Sequence, residues 1–120
     1  MKKILLVEDN DFIRKMYLMK LAKSNEFEVI EAADGPTALD ATRKQRPDMI
    51  LLDIMMPKMS GLEVLEQLRN EGSRVPVIIL SNVMSAETKA KAEKYGVADY
   101  IIKSDLTPSQ VLEKLQAHLG

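Results

Sequence analysis

Residues 49–57, MILLDIMMP, form an apolar run that ends on the carboxylate of Asp53 and is followed four residues later by Pro57. A short apolar run bounded by polar or turn residues is typical of a strand buried in a sheet. Three further runs also end on a polar residue: 4–7 before Glu8 and Asp9, 75–80 before Ser81, and 100–102 before Lys103. The repetition predicts four strands whose ends lie around one site.

The size and composition of the chain indicate one globular domain, which we place at residues 1–120. Hydrophobic residues make up 46% of the chain, which is ordinary for a folded protein and too many for a disordered one. The 17 basic and 18 acidic residues leave a net charge of −1. A chain with this balance has no basic surface of the kind that binds nucleic acid or an anionic membrane directly.

Neither a membrane anchor nor a disulfide framework is predicted. No apolar stretch approaches the ~20 residues that cross a bilayer. The charged start, MKK, is followed by too few apolar residues for a signal peptide. The absence of cysteine excludes disulfides and thiolate metal ligands. These features make the cytoplasm the expected location.

Strand-like and helix-like segments alternate along the chain, which is typical of a parallel α/β sheet. Strands are predicted at residues 3–7, 27–32, 48–53, 75–80 and 98–103, and helices at 11–24, 36–45, 61–71, 86–95 and 108–119. Thr107, Pro108 and Gln110 have the order of an N-cap, a first-turn proline and a capping-box residue. The alternation predicts a doubly wound, three-layer sandwich with the first and third strands at its centre.

The polar residues at the predicted strand ends have the chemistry of a phosphoryl-transfer site. In sheets of this kind ligands bind beyond the carboxyl ends of the strands, where Glu8, Asp9 and Asp53 would repel one another without a cation. Oxygen ligands without cysteine favour a hard ion such as Mg²⁺ or Mn²⁺. A carboxylate can also accept a phosphoryl group, which Lys103 can neutralise. Each residue alone would more often be a cap or a loop residue, so the set carries the prediction.

These residues and their spacing resemble the receiver domain of response regulators in two-component signalling, over the whole chain. The resemblance assigns a role to each of the following: Glu8 and Asp9 as the acidic metal-binding pair, Asp53 as the phosphoacceptor and a metal ligand, Met55 as a metal ligand through its backbone carbonyl, Ser81 as the switch hydroxyl, Tyr100 as the switch aromatic, and Lys103 as the phosphoryl-binding lysine. Pro57 and Gly61 match the loop and helix start that follow the acceptor in this family. The resemblance also implies a flavodoxin-like sheet in the order 2-1-3-4-5, with five helices.

The resemblance implies a signalling switch and not an enzyme that turns over substrate. Asp53 would accept a phosphoryl group from a sensor histidine kinase or a histidine phosphotransfer protein, with Mg²⁺ at the acidic residues. Ser81 would then move inward and Tyr100 would follow, which changes the face of the fourth helix, fifth strand and fifth helix. That face would contact a downstream target, an effector domain or a second copy in a homodimer. Met55 and Val83 flank the expected water and cannot orient it by hydrogen bonding, which predicts slow self-dephosphorylation.

Two residues depart from the usual family pattern. Asn82 follows the switch hydroxyl where the family has a small residue, and its larger side chain is expected to crowd the pocket or the path of Tyr100. Ser104 follows Lys103 where many receivers have a proline with a cis peptide bond. Because a cis bond costs ~3–4 kcal/mol without proline, the Lys103–Ser104 bond is predicted to be trans.

Three other functions fit the same architecture. A flavin-binding module would need a Ser/Thr/Gly-rich phosphate loop where residues 8–11 are Glu-Asp-Asn-Asp. A Mg²⁺-dependent phosphatase usually has a second acid two residues after the nucleophile, where this chain has Met55. A structural pseudo-receiver would not need the intact acidic set and Lys103. The sequence is compatible with a stand-alone regulator and with a fragment of a larger protein.

The chain has a single histidine and eight methionines. His118 is predicted to be a solvated residue at the end of the last helix. Met16, Met19 and Met49 are predicted to fill the core, whereas Met55, Met56, Met59 and Met84 are predicted to be exposed partner contacts.

Overall fold

Strands and helices alternate strictly along the chain. In the computed structural model, which describes residues 1–82 and 85–119, the elements are β1 (Lys2–Val7), α1 (Asp11–Lys23), β2 (Phe27–Ala32), α2 (Gly35–Gln45), β3 (Met49–Leu52), α3 (Gly61–Asn70), β4 (Val77–Ser81), α4 (Ala86–Tyr95), β5 (Asp99–Ile102) and α5 (Pro108–Leu119). Within this part of the chain, the predicted alternation of five strands and five helices is confirmed.

The strands form one parallel sheet in the order β2-β1-β3-β4-β5. The register pairs Val7 of β1 with Leu52 of β3, and Leu52 with Ile79 of β4. The carboxyl ends of the central strands therefore lie side by side at one edge of the sheet. The predicted order is confirmed, as is the central position of the first and third strands.

Two apolar clusters lie on opposite faces of the sheet, because successive side chains of a strand point in opposite directions. In β1, Leu5 and Val7 belong to the cluster that packs against α2, α3 and α4. Ile4 and Leu6 belong to the cluster that packs against α1 and α5. Each residue of β3 is buried, since helices cover both of its faces. The molecule is thus the predicted three-layer sandwich.

Side-chain caps start the helices close behind the strand ends. Asn10 caps α1 by accepting a hydrogen bond from the backbone N–H of Ile13. The predicted capping box is present at α5, where Thr107 and Gln110 each accept a hydrogen bond from the other's backbone N–H, at 3.2 and 2.9 Å. A cap satisfies backbone donors that the first helical turn leaves free. The caps therefore fix short, defined loops at the edge where the functional residues lie.

The last three strands are slightly shorter than predicted, whereas β1 begins one residue earlier and β2 has its predicted bounds. β3 ends at Leu52 and β5 at Ile102, so Asp53 and Lys103 lie just beyond the sheet. β4 begins at Val77, because Pro76 before it has no backbone N–H to donate to a ladder. The side chains of Asp53 and Lys103 are therefore free of the strict in–out alternation of a strand.

Helix α1 buries fewer of its methionines than predicted. Tyr17 and Leu21 are buried, whereas Met16 and Met19 are 38% and 60% exposed. The prediction that these two methionines fill the core is wrong, while Met49 is buried as predicted. Phe12, Met16 and Met19 follow one another at helical spacing and form an exposed apolar stripe on α1.

Among the residues that the structure describes, no helix has the length and apolar character needed to span a membrane.

Candidate functional site

Five polar residues meet at the carboxyl edge of the sheet, as the sequence predicts. Glu8 and Asp9 follow β1, and Asp53 follows β3. Ser81 is the last residue of β4, and Lys103 comes directly after β5. The backbone N–H of Lys103 donates to the carbonyl of Ser81 at 2.9 Å, which extends the β4–β5 pairing by one residue into the site.

Three carboxylates form a compact oxygen-lined group. One oxygen each from Glu8, Asp9 and Asp53 lies within 4.8 Å of the others. Glu8 and Asp53 are only 3% and 5% exposed, and Asp9 is the more exposed of the three. Closely spaced carboxylate oxygens are the donor set that Mg²⁺ and Mn²⁺ prefer. The residues present therefore fit a hard divalent ion.

Lys103 connects two of these carboxylates. Its Nζ donates to Oε1 of Glu8 and, at 3.2 Å, to Oδ2 of Asp53, and its side chain is 9% exposed. Burial by itself lowers the pKa of Lys103, but the hydrogen bond with Glu8 and the negative charges of Asp53 and Glu8 outweigh it and raise the pKa. The ammonium group of Lys103 consequently stays charged beside Asp53, where a further anion would bind.

The pKa of Asp9 is also raised, which for a carboxyl group favours the neutral form. Burial raises its pKa, and a hydrogen bond with Glu8 and the negative charge of Glu8 raise it further, against smaller opposing effects that include Lys103. A carboxyl group in this position ionises more easily when another cation is near. One lysine is thus too little positive charge for three carboxylates.

The backbone around Asp53 is held from several sides. Its N–H donates to the carbonyl of Val7 at 3.1 Å, and its Oδ1 accepts from the N–H of Met55 at 3.3 Å. In the loop that follows, the N–H of Met59 donates to the carbonyl of Pro57 at 2.7 Å across Lys58, whose φ is 68°. A three-residue turn with positive φ at a non-glycine centre is uncommon and strained. It folds the loop tightly next to the acidic residues.

Gly61 approaches the backbone of Asp53 very closely. A Cβ at residue 61 would lie 2.2 Å from the carbonyl oxygen of Asp53. The backbone N–H of Gly61 donates to the carbonyl of Ile54 at 2.9 Å. No side chain fits at that distance, so glycine at the start of α3 is required for the observed path behind Asp53.

The two predicted switch residues lie in different surroundings. Ser81 is fully buried. Tyr100 packs against the cluster shared with α4, and burial raises the pKa of its phenol. Its hydroxyl is buried, with no hydrogen-bond partner among the residues that the structure describes. A buried polar group without a partner costs about 1–3 kcal/mol, so the side chain is held in this position by ring packing and not by its hydroxyl.

The remaining predicted residues have mixed outcomes. Asn82 and Ser104 are exposed. No cis peptide bond occurs in residues 1–82 and 85–119, which confirms the trans prediction for Lys103–Ser104. The metal role of the Met55 carbonyl stays a prediction, and Val83 and Met84 lie outside the described residues.

His118 is exposed as predicted but has an unpredicted partner, and two methionines depart from the prediction. Nε2 of His118 lies 3.0 Å from Oδ2 of Asp99, at the start of β5, so this histidine has a tertiary partner. Met55 is 63% exposed as predicted, but Met56 and Met59 are partly buried against the core. The loop after Asp53 therefore presents Met55 outward and uses the other two for packing.

Arg14 is the residue near the site that sequence reasoning missed. Its guanidinium donates to the backbone carbonyl of Glu8 at 2.9 Å, although its position on α1 is six residues away. A cation among the inward-facing residues of α1, between Ile13 and Tyr17, is the signal that could have identified it.

Comparisons with known proteins agree with this fold. Residues 4–116 match the family model for the response regulator receiver domain. The chain is 35% identical over 116 residues to the probable transcriptional regulatory protein TcrX of Mycobacterium tuberculosis, covering 97% of this chain and 49% of that protein. It is 35% identical over 118 residues to the alkaline phosphatase synthesis transcriptional regulatory protein PhoP of Bacillus subtilis, covering 98% and 48%.

Two solved structures extend the comparison to three dimensions. The chemotaxis protein CheY4 of Vibrio cholerae matches with a TM-score of 0.86 and 32% identity, covering 98% of both chains. A CheY-like receiver domain protein of Methanospirillum hungatei matches with a TM-score of 0.91 and 28% identity, covering 99% of this chain and 94% of that one.

The fold and the site together define a phosphorylation-dependent signalling switch of the two-component type. The chain belongs to the response regulator receiver domain family. Proteins of this class work with kinases and effector domains, and the family binds Mg²⁺ at an acidic pocket of the kind seen here. The chain spans about half the length of the two curated relatives described above.

Replacing Gly61 with alanine should disrupt the site through its backbone. The added Cβ would force the Asp53 carbonyl and the following loop to move, and overpacking of this kind typically costs about 1–3 kcal/mol. We expect slower phosphorylation by acetyl phosphate as well as lower stability in urea. Gly72→Ala is the matched control, because Gly72 has positive φ and open space around its Cβ position. Equal phosphorylation rates in the two variants would contradict the close-approach argument.

Proposed function

We propose that Asp53 is the phosphoacceptor and that it receives its phosphoryl group from a phosphohistidine of a sensor histidine kinase or a histidine phosphotransfer protein. The observation that carries the proposal is the meeting of Asp53 with two further carboxylates and Lys103 at one edge of the sheet. The ammonium of Lys103 can pair with an oxygen of the incoming phosphoryl group while Asp53 attacks.

The transfer moves one phosphoryl group between two nucleophiles. An oxygen of Asp53 forms a bond to phosphorus while the phosphorus–nitrogen bond to the donor imidazole breaks. The departing imidazole takes up a proton from solvent. Because the product is an acyl phosphate on the domain itself, the chemistry is a modification of this chain and does not release a product until hydrolysis.

Glu8, Asp9 and Asp53, with the backbone carbonyl of Met55, would hold Mg²⁺, and Mn²⁺ suits the same oxygen donors. When bound, such an ion neutralises negative charge on the transferring group. Glu8 already uses one oxygen for Lys103. We therefore assign Glu8 a shared role, in which it orients the lysine and contributes to the metal site through water.

Ser81 and Tyr100 are proposed to pass the modification on. Ser81 lies at the end of β4, and its backbone carbonyl accepts a hydrogen bond from the N–H of Lys103. From this position its hydroxyl can donate to a phosphoryl oxygen. The ring of Tyr100 already packs inward against the core. A shift at β4 and β5 would change the face formed by α4, β5 and α5, which we propose contacts a downstream target, an effector domain or a second copy of the chain.

Acetyl phosphate with Mg²⁺ is a direct test of the acceptor. Wild-type protein should gain the mass of one phosphoryl group, and Asp53→Asn should gain none, because the amide is not a competent nucleophile. Asp40→Asn is the matched control, since Asp40 is an exposed aspartate of α2. Chelation of the metal should also abolish the gain. Stoichiometric phosphorylation of Asp53→Asn would disprove the assignment.

We also propose slow self-dephosphorylation. Met55 is 63% exposed beside the acceptor, and its thioether is too weak a hydrogen-bonding group to orient an attacking water. Met55→Asn should therefore shorten the lifetime of the acyl phosphate several-fold, as measured by loss of the added mass over time. An unchanged decay rate in this variant would remove Met55 from the explanation.

The phosphodonor protein is proposed to dock on the apolar stripe of α1. Phe12 is 79% exposed in the first turn of α1, three residues after Asp9, and Met55 is exposed two residues after Asp53. The stripe of Phe12, Met16 and Met19 thus begins at the mouth of the acidic site. An apolar face at helical spacing suits contact with another helix, which is how a protein could bring its histidine to Asp53.

Phosphotransfer profiling against the histidine kinases of the source organism can identify a donor and then test this surface. With that donor, Phe12→Ser should slow transfer about tenfold or more, because exposed aromatic residues often dominate interfaces. Phosphorylation by acetyl phosphate should be unchanged. Lys23→Ala, at the exposed far end of α1, is the control. Equal slowing with acetyl phosphate would point to a damaged site instead of a docking surface.

We place the protein in the cytoplasm, where ATP-dependent kinases act, and treat residues 1–120 as a single receiver domain. Direct binding of nucleic acid is not expected of this domain, because its net charge is −1.

A further inference from the structure

Arg14 joins three parts of the molecule behind the acidic site. Nη1 donates to the backbone carbonyl of Glu8 at 2.9 Å, Nε lies 3.1 Å from Oε1 of Glu31 in β2, and Nη2 lies 2.6 Å from Oδ1 of Asp11 in α1. The side chain of Arg14 is only 12% exposed. One guanidinium therefore ties the end of β1, the end of β2 and the first turn of α1 together.

The contact between Arg14 and Glu8 lies at the point where the hydrogen bonds between β1 and β2 end. The last bond from this segment to β2 runs from the N–H of Glu8 to the carbonyl of Ala32, the final residue of β2. The carbonyl of Glu8 accepts a hydrogen bond from the guanidinium of Arg14. The guanidinium thus supplies to Glu8, the first residue of the acidic pair, a hydrogen bond of the kind that a neighbouring strand supplies within the sheet.

We propose that Arg14 is a positioning residue for Glu8 and Asp9, acting through the backbone carbonyl of Glu8 to hold both carboxylates in a metal-binding arrangement. The proposal rests on the proposed function, because it assumes that the acidic residues bind a divalent ion. Arg14 itself does not contact the ion or the phosphoryl group. Its two carboxylate partners fix the direction of the guanidinium and offset its charge.

Electrostatics and positioning predict opposite effects of removing Arg14. If the guanidinium acted mainly by its charge, its loss would take a cation away from a cation site and metal binding would tighten. If it acts by holding the Glu8 carbonyl, its loss lets the acidic pair move and metal binding weakens. Residues that orient metal ligands typically change affinity by about 10–100-fold. The sign of the change therefore distinguishes the two roles.

Binding of Mn²⁺ alone to the unphosphorylated protein tests the proposal, measured from the electron paramagnetic resonance signal of the free ion. We expect Arg14→Gln to weaken binding roughly tenfold. We expect an intermediate affinity for Arg14→Lys, which keeps the charge and one donor group but not the planar fork. Arg43→Gln is the matched control, because Arg43 on α2 makes a two-bond contact, at 2.9 and 2.6 Å, with Glu71, the residue that follows α3, away from the site. Thermal unfolding of each variant is measured alongside.

The outcomes separate the inference from the function on which it rests. Weaker binding in Arg14→Gln but not in Arg43→Gln, with both proteins folded, supports positioning. Unchanged or tighter binding in folded Arg14→Gln overturns it, even though wild type binds Mn²⁺. If Arg14→Gln does not fold, the affinity of Arg14→Lys decides, and a wild-type value there overturns the proposal. Failure of wild type to bind Mn²⁺ would instead count against the metal site itself.

Discussion

The pairing of Lys103 with Glu8 and Asp53 is the interaction on which the rest of the site depends. All three side chains are nearly buried, and the lysine reaches both carboxylates. Burying charge is costly unless the charges are paired. Removing Lys103 would leave Glu8 and Asp53 without this positive partner. Removing either acid would leave the buried ammonium with one carboxylate partner instead of two. The fold must therefore bring β1, β3 and β5 to one edge for any of these residues to be tolerated.

The same pairing leaves the site short of positive charge. Lys103 cannot balance the charges of Glu8, Asp9 and Asp53 together, and burial, with a further contribution from the hydrogen bond and charge of Glu8, raises the pKa of Asp9. A divalent ion held by the acids would offset their negative charge, and Lys103 would then be able to offset phosphoryl oxygens. The close approach of Gly61 to Asp53 and the contact of Arg14 with Glu8 act on the backbone, where they hold the two acidic residues in position.

Much of this arrangement could be predicted from the sequence because it depends on local patterns. Apolar runs, helix caps and polar residues at strand ends place Glu8, Asp9, Asp53, Ser81 and Lys103 at one edge once the strands are parallel. The strand order itself came from the family resemblance. What could not be predicted are contacts between distant parts of the chain. The inward-facing position of Arg14 on α1 marks it as unusual but does not name its partner, the backbone carbonyl of Glu8. The pairing of His118 with Asp99 depends on how α5 packs beside β5. The exposure of Met16 and Met19 could not be predicted either, because the apolar residues of α1 occupy more than one face and periodicity alone does not say where the buried face ends.

Borohydride reduction of the protein after treatment with acetyl phosphate and Mg²⁺ tests the central claim most directly, because it converts an acyl phosphate into the corresponding alcohol. Peptide mapping should then find homoserine at position 53 and unmodified carboxyl groups at Glu8 and Asp9. A reduced residue at position 8 or 9, with Asp53 intact, would contradict the assignment of Asp53 as the group that carries the signal.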